Sequence, residues 1–178
     1  NQGTFIKSAI GEVKSSAVLG VILAIVVLFV FLRRMGTTLI VSLAIPISIV
    51  ATFNLMFFNG LSLNIMTLGG LALGAGMLVD NAIVVIESIF RNQEKGLSIK
   101  EAAINGTAEV ANAVIASTLT TIVVFLPIVY LHGASGELFK DQAWTVTFSL
   151  VSSLFVAILV IPMLYIQLSG KKVKLEEV

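Results

Sequence analysis

The chain has no cysteine among its 178 residues, which removes disulfides, thiolate metal sites and thiol nucleophiles together. Histidine is nearly absent as well. The only one, His132, stands beside Gly133 in "YLHGASGELFKDQ" and reads as a solvated loop residue; a metal centre would need more ligands of suitable type. Charge is scarce: 12% of residues are charged against 57% hydrophobic, with a mean hydropathy of +1.05. Soluble domains run to roughly 45–50% apolar and about 25% charged, so the composition is that of an integral membrane protein. A net charge of +1, without a polybasic block or interleaved aromatics, gives no support for a nucleic-acid partner. Ser-His-Asp sets, nucleotide-binding loops and metal-protease motifs are missing too, so neither enzyme activity nor a cofactor is expected. The opening "NQGTFIKSAIGEVKSS" lacks the basic, apolar and cleavage regions of a signal peptide, and the sequence is expected to begin partway through a longer protein.

What the chain does have is long apolar runs. A helix needs roughly 20 apolar residues to cross the hydrocarbon core, and five stretches qualify: 16–32, 38–58, 65–90, 113–131 and 143–168. They are far longer than the roughly 9–11 alternating residues of a membrane strand. The expected fold is therefore all-α, a polytopic transmembrane helix bundle of five spans over 16–170. Asn59 and Gly60 supply a turn between the second and third spans. Ser98 and Glu101, at capping-box spacing, predict a short cytoplasmic surface helix over 98–111. Phe5, Ile6, Ile10 and Val13, interleaved with Lys7, Glu12 and Lys14, predict an interfacial lead-in helix over 1–15. Trp144 reads as an interfacial anchor. Basic residues set the orientation: Arg33 and Arg34, then Arg91, Lys95 and Lys100, then Lys171, Lys172 and Lys174 make eight of the 11 Lys and Arg, all on one side if the spans alternate. That side reads as cytoplasmic, which puts the amino terminus outside and the tail at 171–178 inside.

Against this background, "GMLVDNAIVVIES" sets Asp80 beside Asn81 after a stretch, 35–79, that carries no charge at all. A carboxylate near mid-membrane costs on the order of 2.5–3.5 kcal/mol on insertion scales, so it must be neutral, paired or facing a wet cavity. Asp80 is either a structural acid or a proton carrier whose affinity for a proton changes with its surroundings. No Lys or Arg of this chain lies at comparable depth, so a cationic partner must come from elsewhere. Asn81 can bond a neighbouring helix or join a relay. Glu87, two turns after Asp80 on the same face, can line a proton exit or lie at the interface near Arg91. Gly70 with Gly74, and Ala72 with Gly76, have the small-xxx-small spacing that lets helices approach closely. Hydroxyls at Ser117, Thr118, Thr120, Thr121, Thr145, Thr147, Ser149, Ser152 and Ser153 could carry a water-linked path or bond backbone carbonyls. Met66 and Met77 read as core filling, and Pro46, Pro127 and Pro162 predict kinks in their spans.

"GGLALGAGMLVDNAIVVIESIFR", with "FVFLRRMGTTLIVSLAIPISIVATF" before it and "TTIVVFLPIVYLHGASGELFKDQAWTVTFSLVSSLFVAILVIPMLY" after it, resembles the resistance-nodulation-division transporters, most closely the hydrophobe/amphiphile efflux branch. The resemblance covers nearly the whole chain and corresponds to spans two to six of the amino-terminal half. It implies half of a pseudo-symmetric membrane domain, in a full-length homotrimer driven by proton influx at the bacterial inner membrane. It also implies docking to a periplasmic adaptor and an outer-membrane channel. Asp80 matches the family's relay acid, which pairs with a lysine and an arginine of the remaining half, with protons as the coupling ion. Drug exporters of this branch carry two consecutive acids, whereas the second position here is Asn81. Heavy-metal exporters of the family carry a single acid, so that substrate class stays open, as does a non-transporting membrane scaffold with Asp80 as a structural group.

Overall fold

The computed structural model describes residues 15, 19, 20, 22, 23, 25–27, 29 and 30, then 35–130 and 132–176. Contacts divide the chain into two compact units, Asn1–Leu39 and Ile40–Val178. In the first unit the described residues before position 31 are helical, and the large apolar ones among them, such as Leu19, Leu23 and Val30, are exposed. The lead-in segment expected over 1–15 lies outside the described residues, Ser15 excepted.

The second unit is built entirely of helices among its described residues. Helix α1 covers Met35–Phe58, starting at the end of the first unit, and α2 covers Ile65–Glu94. α3 covers Ile99–Val129, α4 covers Ala134–Phe155, and α5 covers Ile161–Glu176, with a π-helical turn at Val156–Val160 joining the last two. α2 packs most extensively on α4 and then on α3, and also touches α5. The core between them contains Leu78, Ala82, Val85, Ile86 and Ile89 of α2, Val114 of α3, and Ala143, Val146 and Leu150 of α4, all buried.

The expected five spans are corrected to four. Among the described residues, four helices are long and apolar enough to cross a membrane: Gly36–Phe58, Ile65–Glu94, Ile99–Val129 and Phe139–Gly170. The stretch without a counterpart is 16–32, whose described residues are too scattered to make a continuous helix of spanning length. A second difference concerns α3: the segments expected as a surface helix over 98–111 and a span over 113–131 are one continuous helix. At about 1.5 Å per residue its 31 residues reach about 46 Å, well beyond a hydrocarbon core of about 30 Å. The amino-terminal turns, which carry Lys100, Glu101 and Glu109, are the surplus. The described helix α5 likewise runs on through 171–176, where a tail had been expected.

Local chemistry explains the boundaries. α1 ends in a Schellman motif: Leu61 N–H bonds Met56 O, Gly60 N–H bonds Phe57 O, and Gly60 takes φ +69°, which a side chain would oppose. α2 starts with a capping box in which Asn64 accepts from Thr67 N–H and Thr67 Oγ1 accepts from Asn64 N–H. Ser98 and Glu101 form the corresponding box on α3, as their spacing predicts. The π turn precedes Pro162, whose ring crowds the carbonyl four residues back and which has no N–H to donate. The backbone responds by widening, with Ile161 N–H bonding Val156 O.

Candidate functional site

α2 is a 30-residue helix with two stripes at helical spacing. One is buried: Thr67, Gly70, Gly74, Leu78, Ala82, Val85, Ile89 and Asn92. The other is exposed: Gly69, Leu73, Gly76, Asp80, Val84, Glu87 and Arg91. Asp80 is the sixteenth residue of the helix, so about 22 Å of helix lies on either side of it. It makes no hydrogen bond or ion pair within the described residues and is exposed, on a stripe that touches α4 only at its start, where Gly69 lies beside Gln142. Glu87 lies on the same stripe, four residues from Arg91.

Asn81 points elsewhere. Its Nδ2 donates to Thr118 Oγ1 of α3 at 3.2 Å, and Thr118 is buried. The two neighbours of the sequence motif therefore serve different surfaces, Asp80 the open stripe and Asn81 the seam with α3.

That seam is antiparallel. Below Asn81 and Thr118 come Val85 and Val114, both buried, and then Gly106. A Cβ added at Gly106 would stand 2.5 Å from Ile89 Cα and 2.9 Å from Ser88 C, so the two helices meet backbone to backbone. Farther along, Asn92 Nδ2 donates to Glu109 Oε2 at 2.9 Å and Ser88 Oγ donates to the same oxygen at 3.4 Å. On the other flank Tyr165 Oη of α5 donates to Gln93 Oε1. Sequence reasoning missed Gly106, Glu109, Asn92 and Tyr165. The only advance signal was an isolated glycine inside a helical pattern, which usually marks a packing requirement.

Gly70 and Gly74 face α4. A Cβ at Gly70 would be 2.9 Å from Gln142 O and 3.0 Å from Thr145 Cβ, and one at Gly74 would be 2.1 Å from Ser149 Cβ. Gly76, grouped with them on spacing alone, has nothing within 4 Å of the corresponding point and belongs to the stripe of Asp80. Spacing identified small residues, but only the helix phase separates the two surfaces.

The hydroxyls do not form a chain leading to Asp80. Ser117, Thr120, Thr121, Thr145, Thr147 and Ser153 bond carbonyls of their own helices. Ser149 Oγ and Ser152 Oγ are buried without a hydrogen-bond partner. A cavity of about 470 Å³ lies between α1 and α4, lined by Ile47, Ala51, Phe58, Phe155 and Leu159 among others. It contains none of the residues around Asp80 and so is not part of this site. His132 is exposed, and Trp144 stacks on Phe148 with ring centroids 5.6 Å apart. No group of three or more His, Cys, Asp or Glu that could hold a metal occurs among the described residues.

Comparison with known proteins places these features in a family. The chain is 38% identical over 159 residues to multidrug resistance protein MdtC of Pectobacterium atrosepticum, a match covering 89% of this chain and 16% of that protein. The same identity and coverage hold for the MdtC proteins of Escherichia coli O139:H28 and of Yersinia pestis. The chain thus spans about one-sixth of the length of these relatives. The model of the AcrB/AcrD/AcrF family matches residues 1–176. An apolar helix bundle with one acid at the middle of a membrane-length helix, matched over residues 1–176 by that model, belongs to the AcrB/AcrD/AcrF family of resistance-nodulation-division transporters.

Proposed function

We propose that the chain is the membrane-domain part of a proton-driven exporter in which protonation of Asp80 moves α2 and, through it, distant periplasmic domains. The observation that carries this reading is the place of Asp80: the middle of an apolar helix, on the stripe that the neighbouring helices leave open. A carboxylate left in lipid there would cost on the order of 2.5–3.5 kcal/mol. A facing helix that brings a cation relieves that cost when the acid is ionised, and protonation relieves it otherwise. Lysine and arginine from the remaining half of the transporter fit that role. One charge crossing 100 mV supplies about 2.3 kcal/mol, enough to bias a conformational equilibrium.

In this reading Asp80 is the one proton-carrying residue of the pair. Asn81 has no proton to exchange and its amide is engaged by Thr118. Glu87, beside Arg91, serves the charged end of the same stripe. The relatives are named multidrug resistance proteins, which favours hydrophobic or amphiphilic compounds, drugs included, as the exported class. The assembly is a homotrimer at the bacterial inner membrane, joined to a periplasmic adaptor and an outer-membrane channel. The carboxyl terminus of this segment is cytoplasmic, on the side of Arg91, Lys95 and Lys100, two spans away.

The test is proton-coupled export by the full-length parent protein in proteoliposomes under an imposed pH gradient, wild type against Asp80→Asn. Loss of coupled export with trimer assembly intact is expected. Unchanged export would refute the assignment and leave Asp80 a structural residue, as a scaffold would have it.

A further inference from the structure

We propose that Glu109 is a positioning residue for this exporter, a carboxylate that clasps α2 to α3 so that the azimuth of Asp80 cannot change unless both helices turn together. The proposal rests on the reading of Asp80 given above and adds a residue that no family motif singled out. Asn92 is 6% exposed and Ser88 3%, yet both direct side-chain donors at one carboxylate oxygen across a helix boundary. An ionised carboxylate only accepts hydrogen bonds, which matches two converging donors. Lys95 and Arg91, at the same end of α2, act electrostatically on Glu109 as well.

The rest of the packing explains why a clasp is needed. Against α4, α2 presents Gly70 and Gly74, so the contact is close but smooth. Thr145 and Ser153, which could have bridged that seam, bond their own helix, and Ser149 Oγ has no partner. Glycine surfaces resist approach, not rotation. Apart from Asn64 Nδ2 donating to Asp141 Oδ2 of α4 at the very start of α2, resistance to turning comes from the α3 side: Asn81 to Thr118, then Gly106 against the Ile89 backbone, then Asn92 and Ser88 to Glu109. Tyr165 holds Gln93 from α5 at the same level as the Glu109 clasp. Asp80 is next to the first of these ties and three turns from the last, so the clasp fixes the direction in which its carboxylate faces.

The experiment uses the full-length exporter in proteoliposomes with Glu109→Gln, Glu109→Leu and, in parallel, Asp80→Asn. Glutamine keeps an oxygen able to accept from Asn92 and discards the charge; leucine discards both. A second readout, independent of transport, is oxidative cross-linking of cysteines placed at Val85 and Val114, which are level across the antiparallel seam. This segment contributes no cysteine of its own. Expected for Glu109→Leu is a loss of maximal export of about tenfold, equivalent to ~1.4 kcal/mol, with KM for substrate unchanged and cross-linking reduced. Glu109→Gln should retain most of the rate, the wild-type pH profile and the cross-link. A Gln variant as defective as Leu, with a displaced pH profile, would overturn the proposal and make Glu109 a proton carrier. Wild-type cross-linking and export in both variants would overturn it as well. Should Asp80→Asn leave export intact, the functional reading falls, and the cross-link still decides the clasp.

Discussion

Gly74→Ala is the substitution whose effect the structure specifies most closely. The new methyl group would stand 2.1 Å from Ser149 Cβ and 2.7 Å from Ser149 Oγ, well inside contact distance, and the nearer atom, Cβ, is fixed to the backbone and cannot rotate away. Overpacking of this kind costs about 1–3 kcal/mol, and a clash this deep belongs at the upper end. Alanine recovers up to about 1 kcal/mol of helix propensity, which leaves a net loss of roughly 2 kcal/mol. The third-nearest atom, Ser149 Cα, is at 3.6 Å, an ordinary contact. Ser149→Gly therefore removes the whole obstruction together with a buried hydroxyl that has no partner, and the double variant should recover most of the loss. The coupling between the two sites should be about 3 kcal/mol, the whole of the clash and the top of the range for residues in contact. Thermal stability of the detergent-solubilised parent protein, measured for wild type, both single variants and the double, completes the cycle. If Gly74→Ala is harmless, or if Ser149→Gly fails to rescue it, α2 and α4 do not meet here as described.

Further outcomes can be checked in the same background. Gly76→Ala, at a point with no atom within 4 Å, should not disturb the packing of α2 on α3 and α4, and those helices should stay as heat-stable as in wild type. Gly106→Ala should destabilise the protein without rescue from any single side-chain deletion, because its obstruction is the backbone of Ser88 and Ile89; denaturation midpoints decide this. Thr118→Val leaves the Asn81 amide without its acceptor and should cost about 0.6–2 kcal/mol, read from the same stability assay. Ser98→Ala removes an N-cap from α3 and should cost about 1 kcal/mol, visible as faster hydrogen exchange in the first turn.

The membrane class, the turn at Asn59 and Gly60, the capping box at Ser98 and the isolation of Asp80 were all legible in the sequence, because each depends on local composition or spacing. The direction in which side chains face was not. In a lipid-spanning helix both the packed and the open faces are apolar, so the usual contrast between a greasy and a polar side fades. Hence Gly70, Gly74 and Gly76 read as one set, although Gly76 lies on another surface. Asn81 stays open in the sequence between an interhelical bond and a relay, and only the helix phase shows its amide turned to Thr118 of α3. Glu109 escaped notice because its partners, Ser88 and Asn92, belong to a different helix. Run length misjudged the chain in two ways: it counted a span over 16–32 that the four membrane-length helices do not include, and it cut α3 in two where charge begins.

The widened turn at Val156–Val160 has a consequence for chain length. From Ser153 to Tyr165, both buried, there are twelve residue steps, which in a regular α-helix would turn about 1,200° and leave Tyr165 about 120° past three full turns. The extra room in the π turn absorbs much of that surplus, so that Ser153, Ala157, Ile161 and Tyr165 are all buried. Remove one residue from this turn, and eleven ordinary helical steps span about 1,100°, within about 20° of three full turns. A single-residue deletion, which elsewhere in α4 would swing every later side chain by about 100°, would here leave Tyr165 facing Gln93. The turn is thus a length tolerance built into the helix, and it separates the part that packs on Gly70 and Gly74 from the part that holds the far end of α2.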